Sequence, residues 1–552
     1  MARFPKAWLA LMGAGLLPLQ AGALHAQAQD LPLQQLPLAP SWKGSRPKSN
    51  PKVLAPAAIK LPPELQKLPA PATLALPNKV DQVRIKELRP LTLRQAETLA
   101  EVNNPNLKAI ASQVDQAQSD LRAALALWYP TLSLSGTGFP AYTGGSQRTA
   151  EVNPATTLSG NQYTYTDRWA MSSSLSASWD LINPKRVPEI SAARDRFEKA
   201  KNAYLIGLRD LRLQIQEAYI DLQRNDQKVV IGKESVRVSL VALRDAKARF
   251  QAGVATKLEV LEAETQLARD QRLLTDGLTD QVTSRRLLAR FLDLPQNISP
   301  TAADPLVPQG IWTPTLEESI VAAFAFREEL DSAILDISAS NSSANSALGD
   351  VQPLLRIVNG LDTFRYNGTE QVIVDLPGSS GWAVENSIGL NFSWTLFDGG
   401  RSQALARKFK QQAQQNAYSF ADKRDKIRYE VEETYNDLRG SITQLKTGSR
   451  QVISSREALR LARLRFQAGV STQREVVNNQ RDVTQAETDF NNFLASYNFA
   501  LAQLRRRTGL DQVVPCKTAP LPALKPLISE GTDVPVPPLP LTPVCLSMMK
   551  GS

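Results

Sequence analysis

The 552 residues include one histidine, His25, and two cysteines, Cys516 and Cys545, so past residue 25 neither histidine catalysis nor a zinc site of four cysteines, or of two cysteines and two histidines, can be built. The net charge of +10 arises from 64 basic against 54 acidic residues. The basic residues are spread along helical patterns without an aromatic-interleaved patch, which reads as solvated surface and not as a nucleic-acid interface.

Residues 1–28 read as a signal peptide: Arg3 and Lys6 form a charged start, Trp8 to Leu19 an apolar run, and Ala26-Gln27-Ala28 a cleavage site. That run is too short to span a bilayer, and no cysteine follows it to carry a lipid. No later run is long and apolar enough for a transmembrane helix, so entry into a membrane requires a closed β-barrel. Residues 29–90 are punctuated by prolines from Pro32 to Pro77, a composition that excludes helix and central strand and predicts an extended or disordered arm.

A first unit spans residues 91–291. Thr92 and Gln95 are spaced as a capping box for a helix that breaks at Asn104-Pro105 and ends at Tyr129-Pro130. Residues 131–139 and 169–181 alternate as strands, with 140–168 expected as a loop. In the second strand Met171, Leu175, Ala177, Trp179 and Leu181 oppose Ser172, Ser174, Ser176, Ser178 and Asp180. A serine face suits a water-filled lumen, and a terminal Trp suits an interfacial girdle. Asn183-Pro184 then opens a helical hairpin over 184–291 with its tip at 249–260, and Leu208, Leu211, Ile215, Ala218 and Leu222 form a coiled-coil-like stripe.

Residues 292–314, with five prolines, read as a linker. A second unit over 315–510 restarts the order. Thr315 and Glu318 form a capping box, strands are expected at 354–364 and 385–397, and a hairpin over 399–508 has its tip at 465–476. Asp398-Gly399-Gly400 caps the long helix, and Ile427, Val431, Tyr435, Leu438, Ile442 and Leu445 form its stripe. Arg505, Arg506 and Arg507 close the last helix, where cations favour the C-terminal dipole. Residues 511–552 are a second Pro-rich segment. Its Cys516 and Cys545 pair as a disulfide or remain two thiols, and an oxidising compartment favours the pair.

The tips show that the two units are copies. R-F-Q-A-G-V-A-T-K-L-E-V at 249–260 matches R-F-Q-A-G-V-S-T-Q-R-E-V at 465–476 in nine of twelve positions, 216 residues apart. Gly253 and Gly469 are expected at positive φ. The fold class is mixed α and β, mostly α, built by internal tandem duplication. Four strands cannot close a membrane barrel, and open edges are prohibitive in lipid, so other copies of the chain must complete it.

The W-T-L-F-D-G-G-R junction at 394–401, the two tips and the Leu258 to Ala263 run resemble the TolC family of outer membrane factors, the exit ducts of tripartite efflux pumps and type I secretion systems. The resemblance covers residues 91–510. It implies a homotrimer, with a twelve-stranded transmembrane barrel continued by a long periplasmic α-helical barrel. It also implies location in the Gram-negative outer membrane, contact with its lipid, a periplasmic adaptor (membrane fusion) protein, and an inner-membrane ABC or proton-driven transporter. No enzyme activity, metal or cofactor is expected. The family's pattern places a periplasmic gate at Glu475 and Asn478 after the second tip, with Glu259 and Glu262 after the first. The family's latch positions fall on Phe466, which has no hydroxyl, on Glu259, and on Ser471 where an arginine is needed. Adaptor docking falls on Arg249, Phe250, Gly253, Arg465, Phe466 and Gly469, and the strand-to-helix junction on Trp179, Trp394, Asp398, Gly399 and Gly400. The competing reading is a periplasmic coiled-coil structural or adaptor protein whose strands are ordinary soluble ones.

Overall fold

A computed structural model describes residues 60–66, 68–152, 159–371 and 379–512. The signal segment, residues 29–59 of the arm, and Cys516 and Cys545 lie outside them.

The described chain starts inside the arm, and here the expectation of an extended or disordered segment without helix or strand is corrected. Leu65 and Leu68 are buried, Val80–Val83 makes one helical turn, and Glu87–Leu91 forms a strand, β1. Thr92 caps α1 (Leu93–Asn103): its hydroxyl accepts from the Gln95 amide at 3.3 Å, and the Gln95 side chain accepts from the Thr92 amide at 3.0 Å. Asn104 ends α1 and caps α2 (Pro105–Leu125), and a 3-10 turn over Ala126–Trp128 leads into β2 (Thr131–Val152) and β3 (Ser159–Ile182). The first long hairpin is α3 (Arg186–Gln251) and α4 (Lys257–Leu292). With 66 residues, α3 is roughly 100 Å long. The expected linker contains β4 (Ile298–Ala302), which pairs in parallel with β1. Pro90 and Pro300 are tolerated because a two-stranded sheet leaves one edge of each strand without ladder bonds.

The second unit repeats the first. Its elements are α5 (Leu316–Phe326), α6 (Glu328–Leu348), a 3-10 turn over Gly349–Val351, β5 (Leu354–Gln371), β6 (Ser379–Ser393), α7 (Arg401–Gln467) and α8 (Gln473–Thr508). Thr315 and Glu318 reproduce the first capping box. The break between α5 and α6 falls at Arg327, 223 positions after Asn104, with no proline to announce it.

One antiparallel sheet has the order β2-β3-β5-β6. Its strands correct the expected bounds in two ways. Most of the expected loops at 140–168 and 365–384 are strand, because the ladder satisfies backbone groups even where Gly, Thr, Ser and Tyr give no alternation. Meanwhile β6 stops at Ser393, four residues short of Phe397. Register puts like faces together. Leu134 lies opposite Leu175, Leu175 opposite Leu361, and Ile357 opposite Leu390 on one face. On the other face the Ser133 and Ser176 hydroxyls are 2.7 Å apart, and those of Thr131 and Ser178 2.8 Å. The apolar face is bare in the single chain: Ile388 is 79 % exposed and Leu134 77 %. Among the described residues no helix is long and apolar enough to cross a membrane.

The two larger of four buried clusters among the described residues run along the long helices. Leu91, Leu99, Leu208, Ile215, Tyr219 and Leu288 join β1 and α1 to α3 and α4. Ile427, Val431, Leu438, Leu501 and Leu504 join α7 to α8. The expected stripe residue Ile442 and, on α4, Leu278 and Val282 are exposed instead. The arginines ending α8 are also more than dipole partners. Arg505 donates to the Gln309 carbonyl at 3.2 Å, Arg506 to Asp210 at 2.8 Å and Glu329 at 3.0 Å, and Arg507 to Glu433 at 2.9 Å. Buried Arg209 of α3 completes this seam between the units with Glu328 and Asp511.

Candidate functional site

Both tips are the same turn. At the end of α3 the Val254 amide donates to the Arg249 carbonyl, and the Gly253 amide to the Phe250 carbonyl, each at 3.0 Å. Val470 and Gly469 do the same with Arg465 and Phe466. This 6→1 and 5→2 pair is a Schellman motif, whose C′ residue must be left-handed, and Gly253 has φ 73° and Gly469 φ 76°. A side chain there would be strained, so both copies keep glycine.

The side chains around the two turns differ. Glu259 is held by its own helix start, in a capping box with Thr256. Glu262 instead reaches the other tip, where the Arg474 Nε donates to it at 2.9 Å. A second contact crosses beside it: the Arg249 guanidinium lies 4.4 Å from the centre of the Phe466 ring. Glu475 accepts from Arg465 Nη1 at 2.8 Å and from the Ser471 hydroxyl, both in its own tip. Asn478 is exposed, as is Phe250. The tips thus bring together Glu262 with Arg474 and Arg249 with Phe466, but not Phe466 with Glu259.

The signal for these contacts was present as divergence between copies. The tip sequences differ at three positions, and two of these, Ser471 and Arg474, make the contacts just described where the first copy has Ala255 and Leu258. Between the hairpins above the tips lies a cavity of about 360 Å³, lined by Arg237, Val241, Asp245, Ala263, Phe466 and Val477 among others.

At the other end of the long helices the junction is also duplicated. The Trp179 indole donates to the Trp128 carbonyl at 3.0 Å, and the Trp394 indole to the Val351 carbonyl at 3.1 Å. Each Trp ties the end of an outgoing strand to the 3-10 turn that precedes the incoming one. Asp398 accepts from the Gly400 amide at 3.0 Å and the Ser402 amide at 2.8 Å, with Gly399 and Gly400 at φ 70° and 83°. The Ser402 hydroxyl and amide hold the Asp398 carboxyl below its usual range. In the first unit Asn183 takes this place, accepting from the Lys185 amide at 3.0 Å.

A family described as outer membrane efflux protein matches residues 98–292 and 320–510. Outer membrane protein TolC of Vibrio cholerae is 22 % identical over 438 residues, covering 75 % of this chain and 91 % of its own length. Protein CyaE of Bordetella pertussis is 22 % identical over 443 residues, covering 80 % and 88 %. The solved structure of CusC, described as a transmembrane channel, superposes with a TM-score of 0.62 at 17 % identity, over 80 % of this chain and 96 % of its own.

Proposed function

The chain belongs to the outer membrane efflux protein family, and on that premise we propose that three copies form a passive export duct in the outer membrane. The duct carries substrate delivered by a periplasmic adaptor and an inner-membrane transporter of an efflux or type I secretion system. It performs no chemistry of its own.

The observation that carries this reading is the sheet. Among the described residues its outer strands β2 and β6 have no partner on their free edges, and they run in opposite directions. The β6 of one copy can therefore meet the β2 of the next antiparallel, and three copies make twelve strands with no edge. The outward face is sized for a bilayer. On β3, Trp169 packs against Tyr142 with ring centres 5.1 Å apart and planes tilted by 50°, and Trp179 follows ten residues later on the same face. Ten residues rise roughly 34 Å along a strand, which a tilt of about 45° reduces to roughly 25 Å, the height of an outer-membrane apolar band. A soluble coiled-coil protein would leave Leu134, Trp382 and Ile388 in water.

The tips are the periplasmic mouth. Arg474–Glu262 and Arg249–Phe466 hold the two hairpins together, and Glu475, partly neutralised by Arg465, lines the constriction with Asn478. The exposed Phe250, Val254, Leu258, Leu464 and Val470 give the apolar surface on which an adaptor docks. The test is fractionation. The protein should be recovered in outer membranes, run as a trimer in unheated SDS and as a monomer after heating, and conduct ions in planar bilayers. Recovery as a soluble periplasmic monomer would overturn the reading.

A further inference from the structure

The two units carry their own template for the seam between copies. The hairpins β2-β3 and β5-β6 have the same internal register. Thr131 lies opposite Ser178, and Leu354 opposite Ser393. Leu354 follows Thr131 by 223 positions and Ser393 follows Ser178 by 215. Those two shifts therefore superpose the hairpins pair for pair from Thr131 to Thr137, up to the β2 bulge. The chain also shows how one hairpin joins the next, because β3 pairs with β5 with Ser178 opposite Val358 and Ser176 opposite Gly360. Applying the same shifts moves β3 onto β6 and β5 back onto β2.

We propose that β6 of one copy pairs with β2 of the next in this inherited register, with Ser393 opposite Ser135 and Asn391 opposite Thr137, and that residues 394–397 join the strand when the neighbour binds. The proposal rests on the trimeric duct reading and specifies its interface. The register holds as far as Thr137, where β2 bulges towards Ala141.

Three observations support it. First, the faces agree. The shifts place Trp394 opposite Leu134 on the apolar face, and Ser393 opposite Ser135 on the polar one. A slip of one residue would set Trp394 against serine. Second, the inheritance explains why β6 is short. On β3, residues 179–182 are strand, and their partners are Leu355, Arg356 and Ile357 of β5. Their equivalents are residues 394–397, whose partner strand belongs to another copy. In the single chain strand ends at Ser393, leaving Leu396 75 % and Phe397 84 % exposed. By the same shifts Phe397 comes to lie opposite the neighbouring copy's Leu132, itself 71 % exposed. Third, the chemistry of the seam is consistent. Inside one copy Asp180 is opposite Arg356 and ion-paired with it. Their equivalents are Thr395 and Ser133, two hydroxyls, so neither side leaves an unpaired charge.

Disulfide trapping in outer membranes tests the register, in a Cys516→Ser, Cys545→Ser background. Paired Cα atoms lie about 4.5–5.5 Å apart, within disulfide reach, whereas diagonal neighbours are about 7–8 Å apart and beyond it. Ser135→Cys with Ser393→Cys, and Thr137→Cys with Asn391→Cys, should give covalent trimers on heated non-reducing gels that collapse on reduction. The mixed pairs, Ser135→Cys with Asn391→Cys and Thr137→Cys with Ser393→Cys, should stay monomeric. Each substitution appears in a matched and a mixed pair, so a folding defect would show in both. Bonds within one chain are excluded because β3 and β5 separate β2 from β6. Trapping by the mixed pairs, or no trapping by the matched pairs while the unheated trimer band persists, overturns the register and leaves the duct standing. Loss of that band from the background protein in the outer membrane overturns the duct itself.

Discussion

Arg474 at the second hairpin tip donates to Glu262 at the first across 2.9 Å, joining residues 212 positions apart. The pair is half open to water, so its effect is local and screened by salt. If it holds the mouth narrow, Arg474→Ala and Glu262→Gln should each raise single-channel conductance, and the double variant should exceed neither. Raising ionic strength should narrow the gap between wild type and variants once conductance is scaled to bulk conductivity. Unchanged conductance in both single variants would remove this pair from the gate.

The Arg465–Glu475 contact sets a second expectation. With a guanidinium 2.8 Å away, Glu475 would present less charge to the proposed constriction than a free carboxylate. Arg465→Ala should therefore strengthen block of the open channel by divalent cations, and Glu475→Gln should abolish it. Titration of current with Mg²⁺ reads both, and equal block in the two variants would contradict the assignment.

Each junction tryptophan makes one indole hydrogen bond to a carbonyl. Trp179→Phe and Trp394→Phe keep an aromatic ring and lose the donor, each lost hydrogen bond costing about 1 kcal/mol. The losses should add, because the two sites lie on different hairpins. The temperature at which the trimer dissociates in SDS should fall stepwise from wild type through the single variants to the double.

Acid should loosen the packing of α6 against α8 within the second unit. Burial alone would raise the Glu329 pKa, but the hydrogen bonds from Arg327 and the charge of Arg506 outweigh it and hold it at about 2, below its ordinary 4.5. A folded-state pKa below the unfolded one means that the stabilisation is complete above pH 4.5 and is lost as pH falls towards 2. It is on the order of 3 kcal/mol. Thermal melts between pH 6 and pH 2.5 should show wild type losing stability faster than Glu329→Gln, and parallel curves would refute this.

Asp270 carries the opposite sign. Burial raises its pKa, and the hydrogen bonds from Ser239 and Gln266 compensate only in part. Its charge therefore destabilises the folded hairpin above the folded pKa, and the penalty disappears below the ordinary carboxylate range. Asp270→Asn should raise the melting temperature at pH 7, with the gain shrinking as the medium is acidified. A lower melting temperature at pH 7 would show that the Ser239 contact needs the carboxylate.

Much of this molecule is local and therefore legible in the amino-acid order. The capping boxes at Thr92 and Thr315, the Asp398 cap and the two glycine turns each close within a few residues, so spacing alone identifies them. The duplication is equally plain because the tips repeat. The two-fold alternation marks the strands only where one face meets apolar surroundings, which is why their polar ends past Tyr142 and before Trp169 read as loop.

What tertiary structure alone decided are the choices among distant partners. No periodicity says that β1 of the arm will find β4 of the linker, or that Arg505, Arg506 and Arg507 will each take a different element as partner. Nor does it say that Arg474 will choose Glu262 while Glu475 stays with Arg465. Such contacts depend on which helix faces lie side by side over some 200 residues of intervening chain, and a backbone of mostly helical residues fixes that only when it packs. The end of β6 lies between the two cases. Its alternation is written in the sequence as far as Leu396, but in the single chain the strand ends at Ser393, and the ladder bonds that would extend it over residues 394–397 are, in our proposal, supplied by the edge of another copy.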